Sequence, residues 1–158
     1  MKRMSTWPKK ELKILLAEDD LNDADLFQAA IRRSGLATRL MIARDGQEVI
    51  DYLSGNEPFQ DRVKFPFPNL LIMDIRMPNV DGFHLLTWLR THPQCSVIPT
   101  LIFSCSDQPN DVRKAYQLGA NSYFAKPSQL EELVDLIRIV YSYWHHCEAP
   151  FHIEQEAA

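Results

Sequence analysis

"NLLIMDIRMP", residues 69–78, begins as an apolar run and then sets an aspartate, Asp74, directly after Met73. The apolar part is too short for a helix and reads as a strand buried on both faces. A buried strand has no need of a carboxylate at its end, because taking one out of water is costly unless a partner is at hand. The stretch therefore asks which groups elsewhere in the chain come to lie beside Asp74.

Outward from this strand, short apolar runs alternate with helical patterns. "LKILLA" (12–17) reads as a first strand. A helix follows, capped by Asp20 or Asn22 and closed by Gly35, with Leu21, Ala24, Phe27, Ala30 and Ile31 at helical spacing. "ATRLMIA" (37–43) is a second strand, and "RDGQEVIDYLSG" is a turn and a short helix ending near Gly55. Residues 56–68 form a Pro- and Phe-rich loop, long enough to be an insertion with a use. Past Asp74, a third helix runs over 82–91 and is stopped by Pro93. A fourth strand spans 99–104, a fourth helix 111–118, a fifth strand "NSYFA", and a last helix 128–145. Five strands alternating with five helices predict an α/β fold, a doubly wound parallel sheet in the order 2-1-3-4-5. Ligands then bind outside the carboxyl ends of the strands, where strands one and three diverge.

Composition sets the outer limits. A chain of 158 residues with 46% hydrophobic and 24% charged residues is expected to be one soluble domain. We expect a tail over 1–10, a domain over 11–146 and a tail over 147–158. A net charge of -4 argues against a nucleic-acid binder. The basic start "MKRMSTWPKK" precedes an apolar run too short for a signal peptide, and no run approaches a membrane span, so no membrane role is expected. Cys95, Cys105 and Cys147 are odd in number and scattered, which suits a reducing cytoplasm.

The predicted topology brings chemistry to one edge. Strand one ends in Glu18-Asp19-Asp20, strand three in Asp74, strand four in Ser104 and strand five in Ala125-Lys126-Pro127. Each like-charged pair at about 4 Å costs on the order of 1 kcal/mol in water and about 4 at an effective dielectric near 20. A bound proton or a cation must offset that. Mg²⁺ suits a few carboxylates with water and a phosphoryl oxygen in the remaining positions. Glu18 and Asp19 then read as metal ligands, with Asp20 as a helix cap. Asp74 reads as a nucleophile toward phosphorus, and Lys126 and Ser104 as its positive and hydroxyl companions.

Four stretches in order, "KILLAEDD", "LLIMDIRMPNVDGF", "IPTLIFSCS" and "GANSYFAKP", resemble the receiver domains of two-component response regulators over roughly 11–144. The resemblance implies the flavodoxin-like (βα)5 receiver fold. It implies that a histidine kinase donates a phosphoryl group to Asp74, and that Mg²⁺ is held by Glu18, Asp19, Asp74 and the backbone carbonyl of Arg76. Ser104 and Lys126 would contact the phosphoryl group, Ser104 and Tyr123 would be the switch pair, and the Lys126–Pro127 bond would be cis. Three positions depart from or complicate the pattern. Arg76 and Ser106 stand where side chains influence how long the acyl phosphate survives, and Cys105 is larger than the usual residue at the entrance.

Blander readings stand beside these. Asp74 could cap a turn, and Glu18 and Asp19 could cap a helix and serve its dipole. Lys126 could be a solvated surface lysine, and Ser104 a strand-end hydroxyl with only local hydrogen bonds. Tyr123 could be packing alone. His145-His146-Cys147 invites a metal reading, but neighbours on a helix point different ways.

On the last helix, Leu130, Leu133, Val134, Ile137, Val140, Tyr141 and Trp144 form a stripe for the sheet. Leu136, Ile139 and Tyr143 form a second stripe, expected as a homodimer face with helix four and strand five. With too few residues after it for a DNA-binding module, the chain is expected to act by protein contact and to catalyse only its own phosphorylation and dephosphorylation. The insertion and the aromatic helix end look similar to small regulators paired with phytochrome-type kinases. Competing readings are a phosphorelay intermediate, a pseudo-receiver that signals without phosphate, and an aspartyl-phosphate hydrolase. The last would usually carry a second acid two residues after the nucleophile, where this chain has Arg76.

Overall fold

The computed structural model describes residues 11–148 and Pro150. Most of both expected tails therefore lies outside the described residues. The elements are β1 Leu12–Ala17, α1 Leu21–Ser34, β2 Thr38–Ala43, α2 Gly46–Ser54, β3 Leu70–Met73, α3 Gly82–Thr91, β4 Thr100–Ser104, α4 Pro109–Gln117, β5 Ser122–Ala125 and α5 Leu130–His146. The five strands form one parallel sheet in the order β2-β1-β3-β4-β5.

The period-two alternation of the central strands sorts their side chains onto two cores. Leu12, Ile14, Leu16, Leu70, Ile72, Leu101 and Phe103 face α1 and α5, where they meet Phe27, Ile31, Leu133 and Ile137. Leu15, Ala17, Leu71, Met73 and Ile102 face the other side with Val49, Leu85, Leu86, Leu89 and Ala115. Both faces are covered, which is why these strands read as continuous apolar runs.

Aspartates start three of the helices. Asp20 accepts from the Asp23 N–H, Asp45 from Glu48 and Asp81 from His84. Gly35 and Gly55 close α1 and α2 in the left-handed region. α4 starts earlier than the sequence suggests, with Pro109 in its first turn, where a missing N–H costs nothing.

Residues 56–68 pack back onto α2. The Tyr52 hydroxyl donates to the Pro66 carbonyl at 2.8 Å, and the rings of Tyr52, Phe59 and Phe65 contact one another. Arg62 donates to the carbonyls of Tyr52 and Leu53, capping the end of α2. The insertion thus closes one flank of the core.

Three expectations are corrected. Leu21, the first residue of α1, is 61% exposed, whereas Ala24, Phe27, Ala30 and Ile31 are buried. Leu136 is half-buried against the α1/α5 core and does not belong to a free face, whereas Ile139 and Tyr143 are exposed. The cis peptide bond among the described residues is Glu57–Pro58. Lys126–Pro127 is trans, the isomer an X–Pro bond favours by about 0.5–1 kcal/mol.

Cys95 lies buried after α3, and desolvation pushes its thiol up to about 11 against a smaller opposing pull from Arg62. Below pH 9.0, the ordinary value, folded and unfolded chains both keep the proton. Above it the unfolded thiol ionises first, so stability falls as pH rises. The expected slope is up to about 1.4 kcal/mol per pH unit until the folded thiol also ionises. Urea melts of wild type and Cys95→Ala across this window should diverge; parallel curves would contradict the assignment.

Candidate functional site

Sheet register brings the strand ends together. Ala17 is level with Met73 across β1 and β3, so the next residues, Glu18 and Asp74, emerge side by side. The Asp74 N–H donates to the Ala17 carbonyl at 3.1 Å, which ties the two exits. On the other flank Ser104 is level with Ala125, and the Lys126 N–H donates to the Ser104 carbonyl at 2.9 Å. All four βα exits therefore open on one edge.

Lys126 reaches inward from there. Its side chain is only 7% exposed, and Nζ lies 2.6 Å from Glu18 Oε2, 2.7 Å from Asp74 Oδ2 and 2.8 Å from Asp23 Oδ2. Asp74 Oδ1 accepts from the N–H groups of Ile75 at 2.6 Å and Arg76 at 3.3 Å. Both oxygens of this buried carboxylate are thus held by donors, which sets its orientation. Glu18 is also buried, and its Oε1 accepts from the Asp20 N–H at 3.1 Å.

Burial is the largest influence on the Glu18 carboxyl and raises its pKa; the hydrogen bond and charge of Lys126 oppose this without cancelling it. For Lys126, burial pulls the ammonium down most strongly as a single effect. The hydrogen bonds to Asp23, Asp74 and Glu18, with the charge of Asp74, together override it and leave the pKa raised. Lys126 is therefore charged throughout the neutral range.

One ammonium does not balance this many acids. Ligand oxygens of Glu18, Asp19 and Asp74 lie within 4.8 Å of one another, with Asp19 exposed to solvent and the other two buried. Closely spaced hard oxygen donors with excess negative charge and one solvent-facing side fit a divalent cation that keeps some of its water. Among the described residues, no His or Cys joins such a group, and the His146 ring contacts the Ser142 carbonyl.

Asp23 was missed by sequence reasoning. The available signal was its place three residues after the cap Asp20, which returns it to the same edge one helical turn later.

Beside Asp74 is an open pocket of about 330 Å³ lined by Arg76, Ser104, Cys105 and Ser106 among others. Ser104 is buried, and its Oγ accepts from the Ser106 N–H at 3.2 Å. The Tyr123 hydroxyl donates to the Ser106 carbonyl at 2.6 Å, while its ring packs against the α2/α3 core. The expected switch pair is thus joined through one residue. Cys105 is exposed at the rim, and the Arg76 side chain is exposed as well.

Gly82, the first residue of α3, makes a close approach that the site depends on. A Cβ there would lie 2.5 Å from the Asp74 carbonyl oxygen and 2.8 Å from the Ile75 Cα. Gly82→Ala should cost about 1–3 kcal/mol, the usual range for overpacking. It should also slow any chemistry at Asp74 by shifting its peptide. Urea melts and rates of reaction at Asp74 check both, and a variant with wild-type values in each would refute the contact's importance.

Comparison with known proteins agrees with this geometry. The family model described as response regulator receiver domain matches residues 14–138. A probable methanogenesis regulatory protein, FilR2 of Methanothrix harundinacea, is 32% identical over 131 residues, covering 83% of this chain and 82% of that one. Response regulator Rcp1 of Synechocystis is 30% identical over 131 residues, covering 83% and 87%. Among solved structures, response regulator RPA3017, in red light signaling of R. palustris, superposes with a TM-score of 0.83 at 27% identity. The match covers 89% of this chain and 99% of that one. The phosphorylated cyanobacterial phytochrome response regulator RcpA gives 0.80 at 27%, with the same coverage. The Mn²⁺-bound form of Rcp1 gives 0.76 at 28%, again covering 89% and 99%. With its sheet order, its acidic edge and a family match over most of its length, the chain belongs to the response regulator receiver domains.

Proposed function

We propose that the protein accepts a phosphoryl group on Asp74 from a histidine kinase, with Mg²⁺ at Glu18, Asp19, Asp74 and the Arg76 carbonyl, and signals through protein contacts. The observation that carries this is the Asp74 carboxylate itself. It is buried at a strand end, held at both oxygens, and set beside two further acids and one ammonium. The cation supplies charge that offsets the phosphoryl oxygens during transfer.

The chain's own residues do the rest. Backbone N–H groups orient Asp74 Oδ1, and Lys126 is placed to stabilise an anionic oxygen on the incoming group. The Ser104 hydroxyl lines the receiving pocket and can donate to a second oxygen. A shift of Ser104 toward that oxygen would pull on Ser106, and so on the Tyr123 hydroxyl, 2.6 Å from the Ser106 carbonyl. In this reading the domain catalyses only its own phosphorylation and dephosphorylation.

A phytochrome-type kinase is the donor we favour, supported by the phytochrome and red-light regulators among the structural neighbours. The described residues include no helix long and apolar enough to cross a membrane, which is compatible with a cytoplasmic location. The exposed pair Ile139 and Tyr143 on α5 supports a homodimer through α4, β5 and α5.

Intact mass after incubation with acetyl phosphate and Mg²⁺, with and without EDTA, tests the central claim. One added phosphoryl group, absent with EDTA, is expected. No added mass, together with no spectroscopic response to beryllofluoride and Mg²⁺, would end the phosphorylation reading.

A further inference from the structure

Arg76 sits at a boundary. It lines the pocket shared by Asp74, Ser104, Cys105 and Ser106, and it also lines a neighbouring groove with Asp111, Asp81 and Phe83. Its side chain is largely exposed, and its guanidinium lies 3.8 Å from Asp111 Oδ2. The same oxygen of Asp111, in the first turn of α4, accepts from the Ser106 hydroxyl at 2.6 Å. Ser106 in turn holds Ser104 through its N–H and Tyr123 through its carbonyl. One carboxylate oxygen thus gathers the two side chains, Arg76 and Ser106, that flank the mouth of the phosphoryl pocket.

We propose that Asp111 is a positioning residue that holds the Arg76 guanidinium out of the phosphoryl pocket and thereby shortens the lifetime of the acyl phosphate on Asp74. This rests on the phosphoacceptor reading of Asp74 and names a control on it. In hydrolysis, a water oxygen forms a new bond to phosphorus. The bond from phosphorus to the Asp74 oxygen breaks, Asp74 leaves with the electron pair as a carboxylate, and the water's proton passes to the departing phosphate or to solvent.

A guanidinium turned into the pocket forks onto phosphoryl oxygens and stands in the path of that water. Held by Asp111, it does neither. The choice between carboxylate and phosphoryl oxygens is an exchange of one exposed ion pair for another, so a single substitution can tip it.

The test is the decay of phosphoprotein prepared with acetyl phosphate and Mg²⁺ and freed of donor, followed by intact mass. Asp111→Asn keeps an oxygen that can accept from Ser106 while removing the charge that attracts Arg76. The expected result is a lifetime longer by about two- to fivefold, the range an exposed ion pair is worth. In an Arg76→Ala background, Asp111→Asn should change nothing further. That non-additivity is a readout which loosening of α4 alone would not produce. Thermal melts of the variants show whether the fold is retained, and Asp111→Glu, which restores the charge, should bring the short lifetime back.

A lifetime for Asp111→Asn equal to or shorter than wild type overturns the proposal, as does a lengthening that persists without Arg76. A wild-type protein that takes up no phosphoryl group overturns the phosphoacceptor reading itself, so the two failures are distinguishable.

Discussion

Asp74→Asn should abolish phosphoryl uptake from acetyl phosphate or from a kinase, with no added mass where wild type is expected to gain one phosphoryl group. Asparagine is nearly the same shape and keeps an oxygen for the N–H groups of Ile75 and Arg76, which hold Oδ1 at 2.6 and 3.3 Å. The fold should therefore survive, and a thermal melt close to that of wild type is the expected check. What would disappear is the carboxylate lone pair proposed to attack phosphorus, since a neutral amide is a poor nucleophile. The substitution also places an NH₂ group where Oδ2 met the Lys126 ammonium at 2.7 Å, donor against donor. It removes one of three clustered acids as well, so divalent-cation affinity should fall, by titration calorimetry. Retained phosphorylation in this variant would place the acceptor elsewhere.

The second large effect is on stability. Lys126→Met keeps most of the apolar stem but removes the ammonium shared by Glu18, Asp74 and Asp23. Two of those carboxylates are buried, and breaking a buried pair by removing one partner costs about 3–5 kcal/mol. The Lys126 pKa is raised by its partners, so its contribution is complete below its ordinary value of 10.5. It would be lost only as pH climbs through the still higher folded value. At neutral pH the whole penalty should appear in urea melts without divalent cation.

Two conditions should relieve the penalty. Mg²⁺ should recover more stability in Lys126→Met than in wild type, because the remaining acids then have a cation to share. Lower pH should help too. The Glu18 pKa is already raised by burial, and losing Lys126 removes the main influences holding it down. The folded chain therefore holds its Glu18 proton more tightly than the unfolded one, and stability rises as pH falls from the folded value toward 4.5. A variant as stable as wild type without cation would show that Lys126 is not the balancing charge.

Much of this site was legible because a parallel sheet sends every strand's last residue to the same edge. Once the apolar runs were counted, Glu18, Asp74, Ser104 and Lys126 had to share it. Asp23 was not legible in the same way. It lies one turn into α1, and its meeting with Lys126, 103 positions later, depends on how that helix crosses the edge. Helical spacing placed Phe27, Ala30 and Ile31 inside, and they are buried, but it could not separate Leu21 or Leu136 from their stripes. Spacing tells which residues share a face; a neighbouring element decides whether that face is covered.

Sequence by itself determined the strand count, their order and the chemical inventory of the carboxyl edge, because these follow from local periodicity and from the topology rules of βα units. Only the tertiary structure decided who touches whom there. That Lys126 balances three acids at once, that Ser106 meets Tyr123, and that Asp111 meets Arg76 are all contacts between separate parts of the fold. The physical reason is range. Hydrogen bonds and ion pairs act over a few ångströms, and those distances are set by packing between elements that the chain's local pattern does not encode.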